Sequence, residues 1–320
     1  MTTVSSTKTP PVPLRLSERD EQIIWAVGVY KNMLVDDVFQ LLNSGSLSTY
    51  REHMRRLAGG KDYATRGYLF RAPLLSETKG TKPRVYCLGV KGRQFLAQEG
   101  YYRPSSSLPS YGTLWHALCL TRFCVGAAAW ARSTPSFTLV ETRLSYEIAR
   151  HPPRIKLSTN GKEETIAVIP DAFLRFVRSD GKQFPLLVEI DRASEYRLKF
   201  QHLVRSRLKL ILSKEYARYF GIEAVRLAFA TTGGESRVLA MQRWAQEVIC
   251  QEIAEENRQG WCERFYFTAV EHATLFDPAL FTDALWVRPG SEDCVPLFDS
   301  LPPNKKKEST NAEKTTEKTT

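Results

Sequence analysis

The sequence lacks four features that would assign it at once to a common class of protein. Its six cysteines form no CxxC pair, which argues against a zinc site or a disulfide framework and indicates reduced thiols. No run approaches the about 18 uninterrupted apolar residues of a membrane span, and the opening stretch MTTVSSTKTPPVP has no secretory apolar segment. Gly233-Gly234 lacks the Lys-Ser/Thr of a nucleotide loop, which argues against an ATPase. We therefore expect a cytoplasmic protein outside the membrane.

Composition divides the chain into two domains, a linker and two tails. With 320 residues, 42% of them hydrophobic, the chain can fill two cores without metals or disulfides. Residues 1–13 and 302–320 are too polar to bury a core and are predicted to be disordered tails. The Pro- and Ser-rich run YYRPSSSLPSYG, residues 101–112, predicts a linker. The domains then cover residues 14–100 and 113–301.

The first domain has the pattern of three short helices followed by a β-hairpin. Helical apolar spacing begins after Ser17 and recurs in two further segments, and a tight NSGS turn precedes the third helix. Two β-rich runs flank a polar turn, and a helical segment follows them. The later segments are 34–42, 47–58, 68–74, 84–90 and 91–100. This order predicts a winged helix-turn-helix.

Positive charge is concentrated on the third helix and the hairpin. Residues 14–45 hold three basic and five acidic side chains, whereas residues 46–93 hold eleven basic and three acidic. Such a surplus suits a polyanionic duplex, although an ordinary solvated helix face is the alternative. The predicted DNA-binding residues are Ser48, Thr49, Arg51, Arg55 and Arg56 on the helix and Lys79, Lys82 and Arg84 on the wing.

The second domain has strands and helices in mixed order. A helix over 114–131 precedes predicted strands, and helices alternate with a strand after them. The predicted strands are 137–147, 165–177, 184–191 and 225–231, and the later helices are 196–220 and 236–256. The whole chain is therefore α+β, with a mixed sheet covered by helices in its second half. The 196–220 helix carries a net charge of +6, which suits either a phosphate backbone or solvent.

Three carboxylates are predicted to meet on this sheet. Asp171 begins one strand, and Glu189 and Asp191 end the next, where alternate side chains share a face. Converging carboxylates suit Mg²⁺ or Mn²⁺, which can activate water against a phosphate. Alternatively, Asp171 caps a turn while Glu189 and Asp191 pair with basic residues to hold helix against sheet; the candidates are Arg192, Arg197 and Lys199.

The carboxylate pattern resembles the PD-(D/E)xK nuclease superfamily, which implies a restriction-endonuclease-like domain with Asp171 and Glu189 as metal ligands. The resemblance breaks at Asp191, which stands where that superfamily has its catalytic Lys. Lys199 could replace it from the following helix, and Glu141 could add a ligand. His116 also invites a catalytic interpretation, but a histidine on an apolar helix more often packs or hydrogen-bonds.

Five segments together resemble the replication-relaxation family of plasmids and integrative mobile elements. They are LSERDEQII, LGVKGRQFL, LWHALCLTRF, IPDAFLRF and LLVEIDRASE, spread over residues 17–250. The resemblance implies DNA binding in plasmid replication, DNA relaxation or transfer, and it implies no settled catalytic mechanism. The alternatives are a metal-dependent nuclease and a transcriptional regulator with an inactive second domain. Expected partners are double-stranded DNA, with relaxase or replication proteins and a second copy of the chain as candidates.

Overall fold

A computed structural model describes most of the chain. The described residues are 15–59, 67–73, 83–101, 111–159, 162–193 and 195–298. The predicted tails 1–13 and 302–320, most of the predicted linker, and Lys79 and Lys82 lie outside these ranges.

The first three helices begin at residues that satisfy their exposed amide groups. They are α1 (Glu18–Tyr30), α2 (Val35–Leu42) and α3 (Leu47–Leu57). Ser17 and Asp20 form a capping box at the start of α1, and Asp37 accepts the Leu34 amide at 2.7 Å before α2. The Ser46 hydroxyl accepts the Thr49 amide at 3.2 Å at the start of α3. These caps fix the helix starts close to their predicted positions.

A two-stranded hairpin and a further helix follow. Strands β1 (Leu69–Pro73) and β2 (Arg84–Leu88) pair antiparallel, and α4 (Val90–Gln98) packs on them and on α1. Gly92 allows the close approach, because a Cβ at this position would lie 2.1 Å from the Tyr68 carbonyl oxygen. The predicted hairpin and the helix after it are confirmed.

A mixed five-stranded sheet forms the centre of the second half. Its strand order is β3, β6, β7, β8, β9, with antiparallel pairs among the first three and parallel pairs among the last three. The predicted mixed sheet is confirmed. The bounds of the strands are β3 (Phe137–Leu144), β6 (Ala172–Arg178), β7 (Gln183–Asp191), β8 (Arg226–Thr231) and β9 (Phe265–Ala269).

Two single elements expected from the sequence are each divided in two. The predicted strand 165–177 is wrong, because β5 (Lys162–Ala167) pairs with β4 (Arg154–Thr159) in a separate hairpin before β6 begins. Likewise the predicted helix 196–220 consists of α7 (Arg197–Leu212) and α8 (Glu215–Phe220), since Lys214 has a φ of 62°. A left-handed residue cannot continue an α-helix.

Helices cover both faces of the central sheet. One face packs on α5 (Tyr111–Ser133), the other on α7 and α9 (Glu235–Glu252). Neighbouring residues on β6 show the division, since Leu174 belongs to the first core and Phe173 to the second. The shorter helices are α6 (Ser145–Ile148), α10 (Arg258–Cys262) and α11 (Ala279–Thr282).

Helix α5 is the element that joins the two halves of the chain. Its apolar side chains share one hydrophobic core with α1, α2 and α3. By length and composition the segment Gly112–Ser133 could cross a membrane, but 72% of its most apolar window is buried inside the protein. That burial is typical of the core helix of a soluble protein.

A buried ion pair holds α2 against α5. The Arg122 Nε atom lies 3.0 Å from Asp37 Oδ1, with the two side chains 8% and 0% exposed. Arg122 also donates to the His272 carbonyl oxygen at 3.1 Å. At the far end of α5, Arg132 donates to the carbonyl oxygens of Gln40 and Leu41 at 2.8 and 2.6 Å. The three N-terminal helices are therefore fixed to the sheet through α5.

We predict that Arg122→Ala lowers the free energy of unfolding by about 3–5 kcal/mol, because it leaves the Asp37 carboxylate buried without its partner. The matched control is Arg218→Ala, which removes an 80% exposed arginine paired with Glu215 and should cost less than about 1 kcal/mol. Urea unfolding at neutral pH measures both. Equal losses for the two variants would contradict this role of the buried pair.

Candidate functional site

Helix α3 presents two arginines to solvent. Arg51 and Arg55 are four residues apart, so they lie on the same face of the helix. Both side chains are exposed, and within the described part of the chain neither forms an ion pair with an acid. Two of the predicted DNA-binding residues are therefore available to an external anion.

Arg55 of α3 and the hairpin arginines Arg71 and Arg84 lie close enough to Tyr86 for their charges to act on it. Arg71 is its cross-strand neighbour, and the positive charges of Arg71, Arg84 and Arg55 each favour ionisation of the phenol. Burial outweighs them and raises the pKa of Tyr86 overall. Arg84 is exposed at the start of β2. The positive surface consequently runs from the helix onto the hairpin.

Arg56 has a different environment from its two neighbours. Its guanidinium contacts the buried carboxylate of Asp20 in α1, and His53 Nδ1 lies 2.8 Å from the other oxygen of that carboxylate. Ser17 donates to Asp20 through its backbone amide at 2.9 Å and its hydroxyl at 2.7 Å. Arg56, predicted to bind DNA, is thus engaged in fixing α3 to α1.

The two predicted hydroxyl contacts lie at the start of the same helix. Ser48 Oγ and Thr49 Oγ1 are each 2.8 Å from the Ser46 hydroxyl. Ser48 is exposed and Thr49 partly so. Their present hydrogen bonds stabilise the first turn of α3.

The four predicted catalytic residues line one cleft on the α7 side of the central sheet. Its volume is about 320 Å³. Lining it are Asp171, Glu189, Asp191 and Lys199, together with His116 from α5 and Arg192. The sequence indicates a packing or hydrogen-bonding role for His116. The structure places its ring at this cleft.

Asp171 links the sheet to α5. Its Oδ2 atom accepts the Ile190 amide at 2.8 Å, and its Oδ1 atom lies 3.0 Å from His116 Nε2. Burial alone would lower the pKa of His116, but the hydrogen bond and the negative charge of Asp171 raise it above its ordinary value. The imidazole is therefore oriented by a carboxylate, and its charged form is favoured.

Glu189 is a buried carboxylate with an arginine partner. The Arg207 Nε atom lies 2.5 Å from Glu189 Oε1, and the side chains are 6% and 7% exposed. Arg207 also donates to the Ile169 carbonyl oxygen at 3.0 Å. Burial raises the pKa of Glu189 above its ordinary value, although the positive charge of Arg207 opposes this shift. The pair holds α7 against β7.

Asp191 is held by a second arginine, from α9. Arg237 Nη2 and Nε donate to its two oxygens at 2.7 and 2.9 Å, and the Thr231 hydroxyl donates at 2.6 Å. Burial would raise the pKa of Asp191, but these bonds and one from the Ala193 amide lower it below its ordinary value. A bidentate arginine of this kind orders the end of β7.

Lys199 and Glu141 are engaged elsewhere. Lys199 Nζ lies 2.8 Å from Glu195 on the rim of the cleft, where the lysine is 60% exposed. Glu141 accepts from Arg143 Nε at 2.5 Å, and its other oxygen lies 2.8 Å from Arg175 Nη2 as an ion pair. Glu141 does not line the cleft. The expected additional ligand therefore does not join Asp171.

The donor set does not fit a divalent cation in this arrangement. Arginines already neutralise Glu189 and Asp191, and both oxygens of Asp171 have hydrogen-bond partners. In the described ranges, no three His, Cys, Asp or Glu side chains are grouped so that they could hold a metal ion. A hard cation would have to displace these partners.

Glu189 and Asp191 hold helices against the sheet, which is the structural alternative that the sequence offered. Their partners, however, are not the basic residues that the sequence suggested. Arg207 and Arg237 take the places expected for Arg192, Arg197 or Lys199. A sequence signal existed for Arg207, since it lies on the helical stripe that includes the buried residues Phe200, Val204 and Leu208. A charged residue on an apolar stripe requires a buried partner.

The basic outer face of α7 is largely neutralised by α9. Glu247 accepts from Arg197 at 2.7 Å, and Glu252 accepts from Arg205 at 2.8 Å and Lys209 at 2.7 Å. The +6 charge of this region is consequently much less available to DNA than its sequence indicates.

We predict that the contribution of Asp20 to stability is lost in acid. Burial would raise the pKa of Asp20, but hydrogen bonds from His53, Ser17 and Arg56 lower it to about 2 from 3.8. This stabilisation is complete above about pH 4 and disappears as the pH falls towards about 2.

Asp20→Asn should therefore lower the free energy of unfolding by about 2 kcal/mol at neutral pH. The difference in unfolding free energy between the variant and the unmodified protein should narrow below about pH 4. Urea unfolding as a function of pH measures it. Asp36→Asn, at an exposed position on α2, is the control and should show little difference throughout. A constant Asp20→Asn difference down to about pH 2 would refute the prediction.

Comparison with known proteins identifies the family. A family model described as replication-relaxation matches residues 40–228, more than half of the chain, from α2 to the start of β8. No curated protein and no solved structure matches the chain. The matched range contains α3, the hairpin, α5 and the whole set of cleft carboxylates. The chain therefore belongs to the replication-relaxation family.

Proposed function

We propose that this chain is a cytoplasmic DNA-binding protein of a plasmid or integrative mobile element and acts in replication, DNA relaxation or transfer initiation. Membership of the replication-relaxation family supports the biological setting. The observation that carries DNA binding is the exposure of Arg51 and Arg55 on α3, on a surface that continues to Arg84 of the hairpin.

In this proposal α1, α2, α3 and the hairpin form a winged helix-turn-helix. Helix α3 enters the major groove, where Arg51 and Arg55 contact phosphates or guanine edges. Arg84 and the wing contact the neighbouring backbone. Asp20 and His53 contribute indirectly, because they set the angle of α3 through Arg56 and so position its exposed face.

The second half of the chain serves in this proposal as a support and an additional DNA contact, with relaxase or replication proteins, or a second copy of the chain, as its partners. Its resemblance to PD-(D/E)xK nucleases is limited to the placement of Asp171 and Glu189. The ion pairs of Glu189 and Asp191 with Arg207 and Arg237 favour a binding role over metal-dependent cutting. A catalytically inactive second half would also suit a transcriptional regulator. Relaxase or replication genes beside the gene for this chain would favour the proposed function over that alternative.

We predict that replacing both Arg51 and Arg55 with Ala weakens binding to the cognate duplex by about 30-fold or more, since each of the two lost base contacts is worth about 1–3 kcal/mol. The plot of log K against log salt concentration has a negative slope, and each lost phosphate contact should make that slope shallower by about 0.9. Fluorescence anisotropy with labelled duplex at several salt concentrations measures both quantities.

The control is the double variant Arg154→Ala and Arg243→Ala, which removes the same charge from exposed positions on β4 and α9. It should retain nearly full affinity. An equal loss in both double variants would mean that only net charge matters, and it would overturn the assignment of the interface to α3.

A further prediction concerns metal ions. Supercoiled DNA incubated with the protein and Mn²⁺ or Mg²⁺ should remain uncut, because Arg207 and Arg237 occupy the carboxylates that a metal would need. Agarose gel electrophoresis detects cutting. Metal-dependent cutting that Asp171→Ala abolishes would establish the nuclease alternative.

A further inference from the structure

We propose that the cleft at the amino end of α5 binds the phosphate of a nucleotide through Arg192 and His116. This site is separate from the basic surface of α3, and its ligand is an unpaired nucleotide rather than a duplex.

Arg192 is a cation for which no described residue supplies a matching acid. Its guanidinium lies over the first turn of α5, where its Nη2 atom is 3.5 Å from the position that a Cβ on Gly112 would occupy. The side chain is half-buried and lines the cleft, and among the described residues no carboxylate pairs with it. The amino end of a helix carries partial positive charge, so this guanidinium is placed where an anion would be favourable.

His116 borders the same space. Its Nε2 atom is held by Asp171 at 3.0 Å, and the imidazole side chain remains 30% exposed. Because Nε2 donates to the carboxylate, Nδ1 is the remaining ring nitrogen, and it donates to a ligand when the ring carries its second proton. Arg192 is close enough for its charge to act on the imidazole. A guanidinium and an imidazole held by a carboxylate thus border one small volume.

The acids around the cleft do not neutralise this pair fully. Each acid is already engaged, and the partnerships are Asp171 with His116, Glu189 with Arg207, Asp191 with Arg237 and Glu195 with Lys199. Arg192 remains as the additional positive charge. A phosphate placed between Arg192 and His116 would balance that charge, and a guanidinium binds phosphate oxygens in bidentate geometry.

The size and walls of the cleft indicate a nucleotide. Its volume of about 320 Å³ lies at the lower end of small-ligand sites, so a duplex cannot enter. Phe200, Leu203 and Phe229 provide an apolar wall. Tyr196 follows the rim residue Glu195 and is 68% exposed, so its ring can stack on a base outside the cleft.

The test measures a fluorescently labelled (dT)12 oligonucleotide binding to the full chain, with EDTA present, by anisotropy. Arg192→Gln should weaken binding by about tenfold or more, and Tyr196→Ala by about tenfold, the effect of one lost stacking contact. Arg243→Gln, an exposed arginine on α9, is the charge-matched control and should bind normally. Thermal unfolding of each variant verifies its fold.

Thymidine monophosphate as competitor identifies the source of the phosphate. If thymidine monophosphate displaces (dT)12 from the unmodified protein and does so less well from Arg192→Gln, the site accepts free nucleotides as well as strands. If (dT)12 binds and the monophosphate does not displace it, the site accepts strands only. Absence of (dT)12 binding by the unmodified protein, or equal affinity of Arg192→Gln and Arg243→Gln, would overturn the proposal.

The outcome is distinguishable from that of the α3 interface. Arg192→Gln should bind the cognate duplex through α3 with nearly normal affinity, and the double variant of Arg51 and Arg55 should retain (dT)12 binding in the cleft. Loss of both activities in either variant would refute the separation of the two sites.

Discussion

The pairing of Arg122 with Asp37 connects the two halves of this protein. Asp37 satisfies the Leu34 amide before α2, and Arg122 extends from the middle of α5 to meet it. Both groups are buried, so neither can be removed without leaving a charge in an apolar environment. Because α5 also packs on the central sheet, this contact determines where α2 and α3 stand relative to the cleft.

The same requirement that a buried charge be paired governs the cleft. Glu189 and Asp191 lie at the end of β7, where the helices α7 and α9 leave them only 6% and 8% exposed. Arg207 and Arg237 provide the opposite charges from those helices. Carboxylates that resemble metal ligands in the sequence therefore stabilise the packing of helix on sheet.

Exposure distinguishes the charges that hold the fold from those that remain for a ligand. On α3, Arg56 is engaged with Asp20, whereas Arg51 and Arg55 point to solvent. On the second half, most basic residues of α7 have acidic partners on α9, whereas Arg192 has none among the described residues. The proposed functions rest on these unneutralised arginines and not on the net charge of the chain.

Local sequence determined the element types, because caps and apolar periodicity act within a few residues. Ser17 and Ser46 start helices where expected, the hairpin around β1 and β2 was predictable, and the three cleft carboxylates Asp171, Glu189 and Asp191 were identified from two short motifs. The division of the 165–177 and 196–220 segments depended on the partners of β5 and on the left-handed Lys214. Only tertiary structure decided that Arg207 and Arg237 neutralise the carboxylates and that Arg56 turns inward to Asp20. Those partners lie 18 to 46 residues apart in the chain, so they are selected by which surfaces pack together, and sequence spacing carries little information about that choice.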